Sequence, residues 1–458
     1  MEEIAPILGV NQLGVAFLVI ACAMIFFVPS RYVHVPIVFS CLYMTIAQQT
    51  VLFGIFHFTP LRILFFVGWT RLIVRREFSP IQFNAIDKAL IVWIVTHFII
   101  NVALLYGTEA ALVNRLGYVY DTVIPYFFYR IVIKDFEDVE KALQIIAILI
   151  APLATIMIFE KITGRNIFVF FGGVPEISMF REGGYRAQGP FRSPIIAGTF
   201  GATMLPLFVG LWWKEEGGKF FASIGVIAAT IITIVAHSGG PASAYVFGVI
   251  SLILWKFRDN IKTILRAVFF IGIFLHLIMQ APVWHLFARL SGIVGGTGWH
   301  RAYLIDMAVE HFDEWWLIGT THTAHWMPYA LLISPDHADI TNQFIAEGIH
   351  GGLLTMILFI ILIFFLFRGI HNGLLAAEEL DLPFEKTILI WAMGASLVTH
   401  VLTYTSVTYF DQMIAFWYLL LAMVSQANNL MYEVEEIKQD RAENTQNNSK
   451  KVYLGTPA

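Results

Sequence analysis

Apolar runs long enough to cross a bilayer recur along the whole chain. A helix needs about 20 such residues to span the hydrocarbon. Runs of that kind stand near 13–28, 35–55, 87–106, 117–134, 140–159, 194–213, 219–236, 241–256, 263–281, 352–368, 386–404 and 409–427, about twelve in all. A further run at 59–74 is crowded by Arg62, Arg71, Arg75 and Arg76. It reads as an interfacial helix whose arginines snorkel to the headgroups. Lipid offers no partner for backbone groups, so the spans must be helices. The expectation is an all-α polytopic membrane protein. Composition agrees, with 58% hydrophobic and 14% charged residues, against about 45–50% and 25% in soluble chains. A secreted domain and a cytosolic enzyme are excluded, and a net charge of -4 leaves no basic field for nucleic acid. Cys22 and Cys41 both lie in apolar runs, which argues against a disulfide scaffold or a cysteine metal cluster. The first run follows Glu2 and Glu3 rather than a basic segment, so no cleavable signal peptide is expected.

The Lys/Arg bias of short loops sets orientation. Arg71, Arg75, Arg76, Arg130, Lys134, Lys141, Lys214, Lys219, Lys256, Arg258, Lys262, Arg368 and Lys386 fall on one side, read as cytoplasmic. Both termini then lie inside, residues 1–427 form one membrane domain, and 428–458 is a polar tail without expected structure. Two long segments, about 160–193 and 282–341, fall outside, the second bearing short amphipathic helices such as 301–317. There is no internal repeat and no pair of matching broken helices, which weakens a transporter reading.

Chemistry is expected where polar groups are kept despite the cost of lipid. Tyr185–Ala197 reads YRAQGPFRSPIIA, with Arg186 and Arg192 just ahead of a span that Ser193 caps. Guanidinium beside a helix N-terminus suits an anion, although either arginine also suits a lipid headgroup. His237–Tyr245 (HSGGPASAY) carries small residues that serve close packing or present N–H groups to a phosphate. The segment 282–352 holds seven of the 14 histidines together with Arg301, Asp339, Glu347 and five tryptophans, among them Trp299 and Trp326. Those aromatics are interface anchors or sugar-stacking walls. Arg301 suits a second anionic oxygen or a salt bridge to Glu310 or Asp313.

His322-Thr-Ala-His325, completed by His337 or Asp336, offers a loose zinc pattern, and no HExxH, GxSxG or Walker motif stands in a fitting context. The expected site therefore contains no metal. Arginines, histidines, acids and aromatic walls fit a lipid diphosphate and a sugar. The diphosphate leaves readily once its charge is neutralised.

Three stretches resemble the O-antigen ligase and O-antigen polymerase superfamily of bacterial envelope glycosyltransferases. RAQGPFRSPIIAG (186–198) is similar to that family's Arg, Gly-Phe, Pro element opening a span. HSGGP (237–241) is similar to its Ser-rich link, and 298–323 to its Arg-containing helix followed by a Leu-x-Gly turn. His337, eleven residues before Gly348 of Gly348-Ile-His-Gly351, resembles the signature His-x(10)-Gly-x-x-Gly. Where the family has Asn, Ser or Gln after that histidine, this chain has Ala338, which leaves Asp339 or Glu347 as alternatives for its role.

The resemblance implies a GT-C-like fold of about twelve spans in the bacterial inner membrane. It implies inverting transfer of a glycan from an undecaprenyl-diphosphate-linked donor, on the periplasmic face, to another glycan, lipid A core or protein. No cofactor and no metal are implied. On that reading Arg186 and Arg301 neutralise the diphosphate, Arg192 assists, and His337 is the general base. Tyr185, Trp299 and Trp326 line the sugar path, and Asp411 pairs with an arginine. The competing readings are a transporter or flippase of an anionic lipid-linked glycan and a zinc-dependent membrane hydrolase.

Overall fold

The computed structural model describes residues 7–8, 11–46, 48–52, 56–78, 80–286, 289, 298–328 and 332–454. Helices dominate them: α1 (Gln12–Phe27), α2 (Val35–Tyr43), α3 (Pro60–Arg75), α4 (Ala85–Ile99), α5 (Glu109–Val132), α6 (Phe136–Thr163), α7 (Pro194–Gly210) and α8 (Gly218–Val235). There follow α9 (Gly239–Ile253), α10 (Ile261–Ile278), α11 (Gly298–Glu310), α12 (Phe312–Trp315), α13 (Gln343–Glu379), α14 (Phe384–Tyr404) and α15 (Gln412–Leu454). Short strands form two small sheets: β1 (Ile7–Leu8), β2 (Gln48–Leu52) and β3 (Phe56–Phe58) in that order, and the hairpin of β4 (Phe180–Arg181) and β5 (Gly184–Tyr185).

Among the described residues, eight helical stretches are long and apolar enough to cross a membrane: 85–106, 136–163, 194–213, 218–235, 239–278, 343–379, 384–404 and 412–440. The chain is thus an all-α polytopic protein in kind. Several expected boundaries differ. The run 35–55 is not one helix: α2 stops at Tyr43 and the chain enters β2, where Gln48, Gln49 and the β-branched Thr50 and Val51 favour an extended ribbon. The runs 241–256 and 263–281 are joined through a 3-10 segment, Leu254–Asn260, in which Phe257 leaves helical geometry (φ -116, ψ 16). The expected unstructured tail continues α15 as helix to Leu454, with Glu433, Glu435, Glu436, Lys438, Gln439 and Arg441, all good helix formers, in its first turns.

A membrane helix faces apolar surroundings on every side, so what distinguishes the inside is small and polar residues. Most of α7 and α14 and the membrane part of α15 are buried, while much of α4, α6, α8 and α13 faces outward. Inside α7, Gly198, Thr199, Gly201, Ala202 and Thr203 are all buried. Gly201 lies so close to α8 that a Cβ there would stand 2.6 Å from the Ala229 carbonyl oxygen.

Buried charges in this bundle are mostly answered. Arg130 of α5 donates to Asp87 (Nε to Oδ1, 3.1 Å), and Tyr126 donates to the same oxygen at 2.6 Å. Asn84 caps α4 and reaches Ser425 Oγ of α15 at 2.7 Å. Arg71, expected to snorkel, is instead fully buried: it donates to the Ile25 and Val28 carbonyls at the end of α1 and to Glu77. Those carbonyls have no partner within their own helix, so the guanidinium is better used there than at the headgroups.

α13 is broken inside. Gly351 (φ -161, ψ 20) and Gly352 (φ 76, ψ -179) leave helical geometry, and the loop after α12 docks into the break. Leu353 N donates to Trp316 O at 2.8 Å, and Thr320 N to Ile349 O at 2.9 Å. Gly352 occupies a region open to glycine alone, and a Cβ there would lie 2.4 Å from Leu317 O. Gly352→Ala is expected to destabilise the protein by at least about 1–3 kcal/mol. A lower melting temperature in detergent, with faster proteolysis near residues 316–320, is the readout.

Candidate functional site

Glu160, at the C-terminal end of α6, organises the loop that carries the first group of expected site residues. Its carboxylate accepts hydrogen bonds from Gln188 N (3.0 Å), Gly189 N (2.8 Å) and Ser178 Oγ (2.7 Å). The β4–β5 hairpin is thereby pinned against α6, and Ala187 N adds a bond to Val235 O at the end of α8 (3.1 Å). Tyr185 packs its ring on Gly164, and its carbonyl accepts from Lys161 Nζ at 2.6 Å.

This frame buries Arg186. Its Nη1 contacts Met179 Sδ at 3.7 Å, and its Nε has no hydrogen-bond partner. Arg301 enters the same field from α11. Its Nη2 would stand 3.1 Å from a Cβ at Gly240, in the first turn of α9, and Ser406 Oγ 2.9 Å from the same Cβ. The absence of a side chain at Gly240 is what admits the guanidinium. Burial pushes the Arg301 guanidinium down to about 10, and Arg181 and Arg186 push in the same direction. Arg186 is lowered by burial and then by Arg181. Lys161 completes the set, its Nζ 2.7 Å from His237 Nδ1. An ammonium only donates, so Nδ1 accepts and the His237 proton sits on Nε2. Burial and then Lys161 lower His237. In this group Glu182 supplies negative charge, 3.3 Å from Arg181 Nε.

Burial and then the neighbouring cations outweigh Glu182, the acid that opposes them at Arg186 and His237. Arg186, buried with an unused Nε–H, and Arg301, half-buried against the positive end of α9, have the chemistry that phosphate-like oxygens would answer. Arg192 belongs to a different neighbourhood. It stands 4.0 Å from Asp411 and over the Phe410 ring. Burial raises Asp411 to about 6, with Arg192 opposing.

The other expected site residues separate further. His337 is exposed on a turn, its N bonded to Ser334 Oγ (3.1 Å) and its O accepting from Ile333 N (2.9 Å). Arg301 instead lies in the field of Arg181 and Arg186. Asp339 is half-buried on the extended approach to α13. Trp299 is exposed beside His300. Trp326 is fully buried, stacked on His311 and donating to Glu314 at 3.1 Å, so it cannot line a sugar path as expected.

Glu347 is buried in the first turns of α13. Gln343 Nε2 (2.8 Å), Trp93 Nε1 (3.2 Å) and Tyr118 OH (3.2 Å) donate to it, and His97 Nε2 stands at 3.9 Å. Asn101, in the π-helical end of α4, donates to His350 O at 2.7 Å. Sequence reasoning missed Trp93, His97, Asn101, Arg115 and Tyr118 here, and Glu160, Lys161 and Arg181 in the arginine group. An acid, a histidine or an arginine inside or at the edge of an apolar run was the available signal. No protein family matches the chain, and no curated protein matches it.

The arginine field has a measurable consequence. The Arg301 pKa is depressed on folding, so its charge opposes folding at every pH below about 10 and the penalty fades as pH rises through that value. Arg301→Gln should therefore raise the melting temperature of the empty protein, by about 1 kcal/mol in stability. Inorganic pyrophosphate should stabilise the wild type and not the variant. In the wild type its affinity should fall beyond about pH 10, where the guanidinium of the empty protein loses its charge. Differential scanning fluorimetry in detergent reads all three outcomes.

Proposed function

We propose that this protein is an inverting, metal-independent glycan transferase that takes a glycan from an undecaprenyl-diphosphate-linked donor. The observation that carries the reading is the gathering of the half-buried Arg301, Lys161, Arg181 and His237 around the buried Arg186, with Glu182 as the acid among them. A diphosphate answers that field. Arg186 and Arg301 neutralise it, and His237 Nε2–H is a further donor. The acceptor hydroxyl oxygen bonds to the anomeric carbon as the bond from that carbon to the diphosphate oxygen breaks. The electron pair leaves with the diphosphate, and the hydroxyl proton passes to a base, the role that the resemblance gives to His337, which is exposed on a turn apart from the arginine field. Tyr185 and Trp299 stand at the sugar, and Arg192 with Asp411 borders the lipid. The acceptor is another glycan, lipid A core or protein. This is the activity of the O-antigen ligase and polymerase superfamily that the sequence resembles.

In this reading the chain crosses the bacterial inner membrane twelve times in a GT-C-like arrangement. Lys256, Arg258 and Lys262 turn the chain between α9 and α10 at the cytoplasmic surface. The arginine field then faces the periplasm.

A second reading, a transporter of an anionic lipid-linked glycan, draws on one observation: α13 is broken at Gly351–Gly352 beside the buried Glu347 and the half-buried His350. Broken helices with ionisable groups are where transporters bind their cargo.

Transfer by the purified protein from an undecaprenyl-diphosphate glycan separates the two. The Arg186→Gln and Arg301→Gln variants should lose at least about 100-fold in rate while keeping their fold. Full activity in both overturns the diphosphate role. Labelled lipid that crosses liposomes without being consumed, and stops crossing in Glu347→Gln, supports the transporter instead.

A further inference from the structure

Away from the arginine field, three side chains meet on the segment between α10 and α13. His311, which precedes α12, and Glu314 inside it stand one helical turn apart, and Ala324–Trp326 brings His325 against them. His311 Nδ1 is 2.9 Å from Glu314 Oε1. His325 Nε2 is 3.0 Å from both Glu314 oxygens. The ligand atoms of the three residues all lie within 4.8 Å of one another. We propose that His311, Glu314 and His325 bind one zinc ion.

The donor set is that of a zinc site with two imidazoles and one carboxylate. Zinc bonds of about 2.0–2.2 Å at tetrahedral angles hold ligand atoms roughly 3.3 Å apart. The observed 2.9 and 3.0 Å need a few tenths of an ångström of opening around a central ion, and the two imidazole nitrogens, within 4.8 Å of each other, must draw together by at most about 1.5 Å. Two imidazole nitrogens converge on a single carboxylate oxygen, so an ion can replace the two protons that now fill those contacts. The surroundings hold the ligands in orientation. Trp326 Nε1 donates to the outer oxygen of Glu314 at 3.1 Å, and its ring, fully buried, stacks on His311 at 5.7 Å and 8°. Such outer partners fix ligand geometry in metal sites. His322 stacks on His325 but turns its Nδ1 to Asp336 at 3.5 Å, so the pair His322/His325 is not the ligand pair that its spacing suggests. All three ligands are partly exposed, at 24, 32 and 40% of their side chains, which leaves a fourth position for water or a ligand oxygen. The ion ties α12 to the Ala324–Trp326 turn independently of any transfer chemistry.

The test uses the full chain, purified in detergent and stripped with EDTA. Zinc is titrated against a chromophoric chelator, and cobalt is followed by its visible absorption. One zinc per chain is expected, with a Kd at or below about 1 µM. Glu314→Gln and His325→Asn should each weaken binding by about 10–100-fold. His285→Asn, which breaks the separate pair of His285 with Asp306 (2.8 Å), should bind as the wild type does. Zinc should raise the melting temperature of the wild type and of His285→Asn only. Wild-type chain without a stoichiometric zinc, or equal binding by Glu314→Gln and His325→Asn, overturns the proposal. Should those variants fail to fold, the wild-type cobalt spectrum decides: no d–d bands at one equivalent overturns it.

Discussion

The carboxylate of Glu160 is the interaction on which the cationic face depends. Three donors from the 178–189 loop converge on it, and two of them are backbone N–H groups. A buried loop of this kind would otherwise leave those groups without partners, at a cost of about 1–3 kcal/mol each. Glu160 therefore does two things at once. It closes the loop against α6, and through the loop it fixes Arg186 and Tyr185. Lys161, the next residue, takes the Tyr185 carbonyl and His237, so one turn of α6 joins the hairpin to the start of α9.

The bundle treats its arginines in two ways, and the contrast is what marks a site. Arg130 with Asp87, Arg71 with Glu77, and Arg62 with Asp121 at 2.6 Å are pairs closed by protein groups. Removing a partner there would leave a buried charge, so these pairs are structural. Arg186 and Arg301 instead lie near other cations and are depressed first by burial and then by those neighbours. A fold under no other demand would supply an acid. The unused Arg186 Nε and the side-chain-free Gly240 under Arg301 are consistent with a place kept for an anion that arrives from outside.

Much of the helical architecture was legible because length and apolarity decide it locally. Runs such as 194–213 and 386–404 correspond closely to α7 and α14. The run 35–55 was not legible in the same way, because hydropathy averages over the polar Gln48, Gln49 and Thr50 that turn the chain into β2. For the site, the sequence pointed to Arg186 and Arg301 through their place beside helix starts. It could not show that they share a field, nor that Trp326 is buried, because both depend on contacts between distant segments. It read His322 and His325 as a pair by spacing alone. The chain instead folds His311 and Glu314 onto His325, a choice set by the stacking of Trp326 on His311.

The two remaining polar centres are mechanically continuous. Glu314 belongs to α12, and the neighbouring Trp315 lies against Gly348, where a Cβ would stand 2.5 Å from the indole. Gly348 directly follows Glu347, and the loop after Trp315 fills the break in α13 through Leu353 N and Thr320 N. Any shift of α12 must therefore move the indole against α13 or open the break. Gly348 and Gly352 admit that contact because each lacks a side chain, and the second also supplies the positive φ. The GIHGG sequence is thus a seat for the outer segment as much as a motif in its own right. An ion that fixed His311, Glu314 and His325 would stiffen that seat, and with it the position of Glu347 inside the bundle.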